Sequence, residues 1–171
     1  GQVQYDGGII AVRNLQGISG EQSVLIDGIV SKNQEDVLKV ELNELSLDYI
    51  FETLAIDNVM FGGTATGKFY ASNLLSGAPI LETPNLHVEN IAYNKCRMGN
   101  ADIKSNWDNE TKGINLYANI AQDNGLTSII EGAIYPTCDS LSINFDAHRA
   151  KIGFLQPFMQ AITSDITGEV S

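Results

Sequence analysis

The chain holds little that is reactive. Two cysteines, two histidines and one tryptophan in 171 residues leave few side chains for metal or nucleophilic chemistry. Two cysteines do not make a disulfide framework, and neither Cys96 nor Cys138 has a His or Cys nearby at metal-ligand spacing. They read as two separate buried thiols; a single Cys96–Cys138 bridge is the alternative in an oxidising compartment. His87 and His148 each stand without a carboxylate or second His at ligand spacing, which is the pattern of ordinary surface or half-buried histidines. There is no Gly-x-Ser-x-Gly elbow. Gly62-Gly63 and Gly67 are not followed by Gly-Lys-Ser/Thr and a helix, so no phosphate loop is present. The expectation is therefore no catalytic residue, no metal ligand, no cofactor and no enzyme.

Basic residues are also scarce. Ten Lys and Arg against 21 Asp and Glu give a net charge of -11. Phosphates are repelled, which excludes nucleic acid as a natural partner, and the same charge opposes a flat contact with an anionic bilayer. No apolar run approaches the roughly 18 residues of a membrane span, and no signal peptide is seen. Membrane anchoring is expected only through a segment absent from this chain.

What is present is alternation. Leu38, Val40 and Leu42 alternate with polar residues, which is strand spacing. Leu47, Ile50, Phe51 and Leu54 then fall at helix spacing, with Ser46 as a cap and Asp48 in the first turn. A glycine-punctuated return to extended chain follows at Phe61-Gly62-Gly63-Thr64-Ala65-Thr66-Gly67. Further strands are expected over Ile9–Val12, Val24–Val30, Val59–Phe61 and Thr64–Ala71 broken by Gly62-Gly63, Leu86–Tyr93, Lys95–Met98 and Ala101–Trp107. Others are expected over Ile114–Ile120, Thr127–Tyr135 and Ser140–Asp146. Val24–Val30 is apolar on both faces and should be well covered. Asn14–Gln22 and Leu74–Pro84 read as loops, and Gly99-Asn100 as a turn. Leu155, Phe158, Met159 and Ile162 repeat the helical stripe. Short, regular turn spacing indicates an antiparallel meander rather than strands alternating with helices.

The pattern comes round twice. Val24–Val30 lies over Ser128–Ile134, Leu42 over Phe145 and Gly67 over Gly168, an offset of about 100 residues that drifts by small gaps in turns. A repeating unit leaves an edge or face that its neighbour covers. The whole chain, residues 1–171, is thus expected to be one β-rich segment of a longer chain, about one and a half repeats, with the second unit beginning near residue 128.

The hairpin, the Leu47/Ile50/Phe51/Leu54 helix, the Phe61–Gly67 glycine step and the Trp107-Asp108 hairpin resemble the C-terminal part of TamB-type translocation and assembly module proteins. These belong to the AsmA-like group, and the form here is similar to that of Bacteroidetes. The resemblance implies a mainly β fold: an antiparallel curved sheet, bent like a taco shell around a hydrophobic groove, with two short α-helices. It implies a periplasmic body of an inner-membrane-anchored protein, a conduit for lipid acyl chains between the two membranes. An outer-membrane barrel protein of the assembly-machinery type is the implied protein partner.

The candidate groove residues are the cleanest alternating sets: Leu38, Val40 and Leu42; Ile103 and Trp107; Ile114, Leu116, Ala118 and Ile120; Leu141, Ile143 and Phe145. The same sets would also build a closed sandwich core. The helical stripes read as core plugs. A scaffold for outer-membrane protein assembly, working by strand-edge pairing, is the alternative function, and a purely structural spacer the third.

Overall fold

A computed structural model describes residues 1–49, 61–93, 95–137 and 140–146. These form one ten-stranded antiparallel sheet, an uninterrupted meander in which each strand pairs with its sequence neighbours. The strands are β1 (Gln2–Asp6), β2 (Ile9–Ser19), β3 (Gln22–Val30), β4 (Val37–Ser46), β5 (Phe61–Ser72), β6 (Ile80–Tyr93), β7 (Cys96–Asp108), β8 (Gly113–Ala121), β9 (Thr127–Tyr135) and β10 (Ser140–Asp146). The first and last strands are not paired with each other, so the sheet is open.

Tight turns account for much of this order. Asp6 pairs with Ile9 across Gly7-Gly8, both at positive φ, the geometry that matches strand twist in two-residue hairpins. Ser19 pairs with Gln22 across a turn with Gly20 at φ 62. The longer β3–β4 and β5–β6 connections tie to each other: Leu75 N–H donates to the Ser31 carbonyl at 2.9 Å, and Ser31 Oγ donates to Asp36 at 2.7 Å.

Several expectations are corrected. Residues 14–19 continue β2 rather than forming a loop, because Asn14 takes a left-handed φ of 46 and absorbs a bulge between Val12 and Leu15. The strand β1 was not foreseen. Phe61–Ser72 is one strand with Gly63 in a bulge, not two strands. The 74–84 loop is shorter, since β6 starts at Ile80 and carries Pro84 at a register shift between Thr83 and Leu86. Gly99-Asn100 is not a turn: β7 runs through it, and the reversal lies earlier, where Tyr93 pairs with Cys96 and Lys95 has φ 65. Val24–Val30 is only half covered. Cys96 is free and exposed at a strand end rather than buried; Cys138 lies outside the described residues.

Ser46 ends β4 and residues 47–49 make a helical turn. The remainder of the first predicted helix, and all of the second, lie outside the described residues, as do Gly168 and His148. The paired hairpins of the proposed repeat differ in register. Val24 pairs with Leu42, whereas Phe145, matched to Leu42, pairs with Ile130 rather than with Ser128.

Candidate functional site

Cross-strand partners lie on the same face of a sheet, so the register sorts the side chains. One line of partners runs Val24, Leu42, Gly67, Leu86, Ile103, Ala118, Ile130, from β3 to β9, and reaches Phe145 of β10 in register. A parallel line runs Leu45, Ala65, Val88, Ala101, Ile120, Ser128. On the other side of the first line, Val12, Gly28, Leu38 and Ala71 stand opposite one another from β2 to β5. Toward the hairpin ends of β7–β9, Trp107, Ile114 and Ile134 follow. One face of the sheet is therefore predominantly apolar from β2 to β9.

Every sequence-predicted groove residue with a described side chain falls on that face. Leu38, Val40 and Leu42 come from β4, Ile103 and Trp107 from β7, and Ile114, Leu116, Ala118 and Ile120 from β8. Leu141, Ile143 and Phe145 of β10 pair with Ile134, Gly132 and Ile130.

The middle of the face is the driest part. Val40, Leu42, Ala65, Val88, Ala101 and Ile120 form a buried cluster, with Ile91 and Met98 beside them. Val88 is 1% and Ile120 2% exposed, each side chain contributing roughly 1.5–3 kcal/mol by leaving water. A flat, uncovered sheet does not seclude a face to that degree. Leu47, in the helical turn after β4, packs on the cluster, which agrees with its reading as a plug. Toward β1 the cover thins: Val3 is 60% and Tyr5 73% exposed, although both continue the apolar face through their partners Val12 and Ile10.

Sequence reading missed Ala65, Phe69, Leu86, Val88, Ile91, Met98 and Ala101, which lie in or against this cluster. A signal was there. Val12-Arg13-Asn14-Leu15, Leu42-Asn43-Glu44-Leu45 and Val88-Glu89-Asn90-Ile91 share one form: apolar, two polar residues, apolar. In each the third residue has positive φ and the register shifts there. Each freed amide then donates to a side-chain oxygen on the next strand: Asn14 to Asp27 at 2.9 Å, Glu44 to Thr66 at 3.0 Å, Asn90 to Asn100 at 2.9 Å. The bulge returns both flanking apolar residues to one face.

The opposite face carries the ion pairs, although Leu25, Ile29 and Ile129 also lie on it. Glu41 sits between Lys39 and Lys68, at 2.6 and 3.2 Å. His87 Nδ1 lies 2.8 Å from Asp102 across β6–β7, a partner that sequence spacing did not reveal. These pairs are solvent-exposed and contribute little to stability. Hydrogen bonds first from Lys39 and then from Lys68 hold the Glu41 carboxyl below its ordinary 4.5. The Asp108 carboxyl lies below 3.8, chiefly because the Glu110 N–H donates to it in the β7–β8 turn. A lowered folded value means stability that is present above the ordinary value and lost as pH falls through the lowered one. Thermal midpoints should therefore decline on the acid side of 4.5, and Glu41→Gln should flatten that decline when melting is followed by circular dichroism.

Among the described residues no group of three or more His, Cys, Asp or Glu is placed to hold a metal ion. No described helix is long and apolar enough to cross a membrane. Comparison with protein-family models, with curated proteins and with solved structures finds no match.

Proposed function

We propose that this chain is a length of a periodic, curved β-wall similar to TamB-type proteins, and that its apolar face carries lipid acyl chains between inner and outer membranes. The observation that carries the reading is the unbroken apolar register from Val24 to Ile130. An acyl chain gains about 0.8 kcal/mol for each methylene removed from water. A face that is apolar across successive strands offers that gain at each position, so the chain slides without a deep trap. No side chain needs to react, and the protein is read as a non-enzyme with no cofactor.

Curvature is supported by the backbone. Gly28, Gly63, Gly67 and Gly99 have φ between 127 and 150, and the bulges at Asn14, Glu44 and Asn90 recur on alternate strands. Glycine kinks and bulges are the devices that bend and coil a sheet. The repeat of about 100 residues belongs to the same proposal: β3–β4 and β9–β10 are hairpins in the same order on the same face, apart from the two-residue slip in pairing. The site of action is the periplasm, with the membrane anchor in a segment absent from this chain.

A second reading has its own observation. The edge strand β1 is exposed along its length, and an open edge is a template for another strand. That favours a scaffold that pairs with unfolded outer-membrane strands, with an outer-membrane assembly barrel as partner.

A photo-crosslinking residue at Leu86 or Leu116 in cells should capture phospholipid, while one at Lys104 on the polar face should not. Silence at both apolar positions, with polypeptide adducts from Gln4 of β1, would reject the conduit in favour of the scaffold.

A further inference from the structure

The polar face carries a feature that lipid movement does not use. Between β7, β8 and β9 lies an open basin of about 440 Å³. Ala133 and Asn115 are cross-strand partners at its floor. Lys104, Tyr117 and Glu131 form one cross-strand row along one side, and Tyr135 stands at the other end. A second basin, of about 540 Å³, shares Lys104 and Tyr117 and continues past Asn85, Asp102 and Asn119. Together they make a polar trough along the strands.

Three observations describe this trough. First, the polar groups of Lys104, Asn106, Asn115, Tyr117 and Glu131 make no hydrogen bond or ion pair with any described residue, although Lys104 and Glu131 flank the same tyrosine. On the same face Glu41 is held between Lys39 and Lys68, and His87 lies against Asp102. Second, the Tyr135 ring lies against Gly113: a Cβ there would meet the ring at 2.8 and 3.0 Å. The glycine holds an aromatic plate close over the backbone of β8. Third, Tyr117 is four residues along β8 from Gly113, so the two tyrosines are separated by about 13–14 Å at 3.4 Å per residue.

We propose that the trough binds a neutral, hydroxyl-rich chain, an oligosaccharide. Side-chain amides present donors and acceptors side by side, and the two tyrosines add apolar faces with polar tips. That combination suits rings which are apolar on their faces and hydroxylated at their edges. Anions are disfavoured, since Asp102 and Glu131 outnumber Lys104 in the trough and the chain carries -11 overall. An extended peptide has nothing to pair with, because β8 is an inner strand bonded to β7 and β9 on both sides.

The test uses the whole chain, isotope-labelled, titrated with maltohexaose, cellohexaose and chitohexaose while amide shifts are followed by NMR. At least one should shift β8 and β9 amides at millimolar concentration or below. Tyr117→Ala should weaken that probe at least about tenfold. Gly113→Ala should do the same by lifting the Tyr135 ring, with the remaining spectrum retained; Gly113 has no positive φ, so the backbone tolerates the change. Absence of shifts with all three probes overturns the proposal. So does binding that both variants leave unchanged, or shifts that map to the apolar face.

Discussion

Gly99→Ala is expected to destabilise the chain by about 3 kcal/mol or more. Gly99 lies inside β7 at φ 131, a conformation that costs side-chain-bearing residues of order 1–3 kcal/mol. A Cβ there would also stand 2.2 Å from the carbonyl oxygen of Ala121 and 2.9 Å from its carbon, on β8. That is backbone, not the far end of a flexible side chain, so relief requires β7 and β8 to move apart at the Asn100–Ala121 end of their ladder. Gly28→Ala belongs to the same class, with φ 129 and 2.1 Å to the Val37 oxygen. Gly20→Ala is the control. It has φ 62 in a turn and nothing within 4 Å, so only the left-handed penalty applies, about 1 kcal/mol. Chemical denaturation of the three variants separates the terms. Equal losses at Gly99 and Gly20 would mean that the close strand approach does not constrain the fold, and the glycine-kink account of curvature would fail with it.

That same glycine shows why the strand order was only partly legible in the sequence. Glycine beside asparagine favours positive φ, which reads as a turn at Gly99-Asn100. Gly99 does take φ 131, but within β7 and without a chain reversal. A bulge and a turn demand the same local conformation, and only the length of ladder on either side tells them apart. The error therefore clusters where bulges occur, at Asn14 in β2, Gly63 in β5 and Gly99 in β7. From Ile114 onward no bulge interrupts the pairing. There the clean alternation of β8 and the runs Thr127–Tyr135 and Ser140–Asp146 match the observed strands. The apolar face was legible for a related reason. Period-2 alternation marks one face of a strand without knowing its neighbours, and Leu38, Val40 and Leu42 were found that way. Val88 and Ile91 were not, since the bulge at Asn90 breaks the period between two residues of the same face.

Ile120 and Ile134 test whether that face is a sealed core or a trough with an open part. Both lie on it, on adjacent strands β8 and β9, and both carry the same side chain. Ile120 is 2% exposed in the central cluster and Ile134 is 39% exposed near the hairpin ends. Ile120→Ala removes buried methyl groups and leaves a cavity, a loss of about 3–4 kcal/mol. Ile134→Ala should cost less, roughly 1–2 kcal/mol, because a side chain 39% exposed gains only part of its transfer free energy in the free protein and its loss leaves no sealed cavity. The difference, read by urea denaturation, reports how much less completely water is excluded at Ile134 than in the central cluster. Ile134→Asp should then be tolerated better than Ile120→Asp while suppressing lipid adducts from a crosslinker at Leu116, one partner line away across β8–β9. Equal costs at Ile120 and Ile134 would mean that the face is covered to its ends, as in a closed sandwich, and a lining with no free area has nothing to offer a passing lipid.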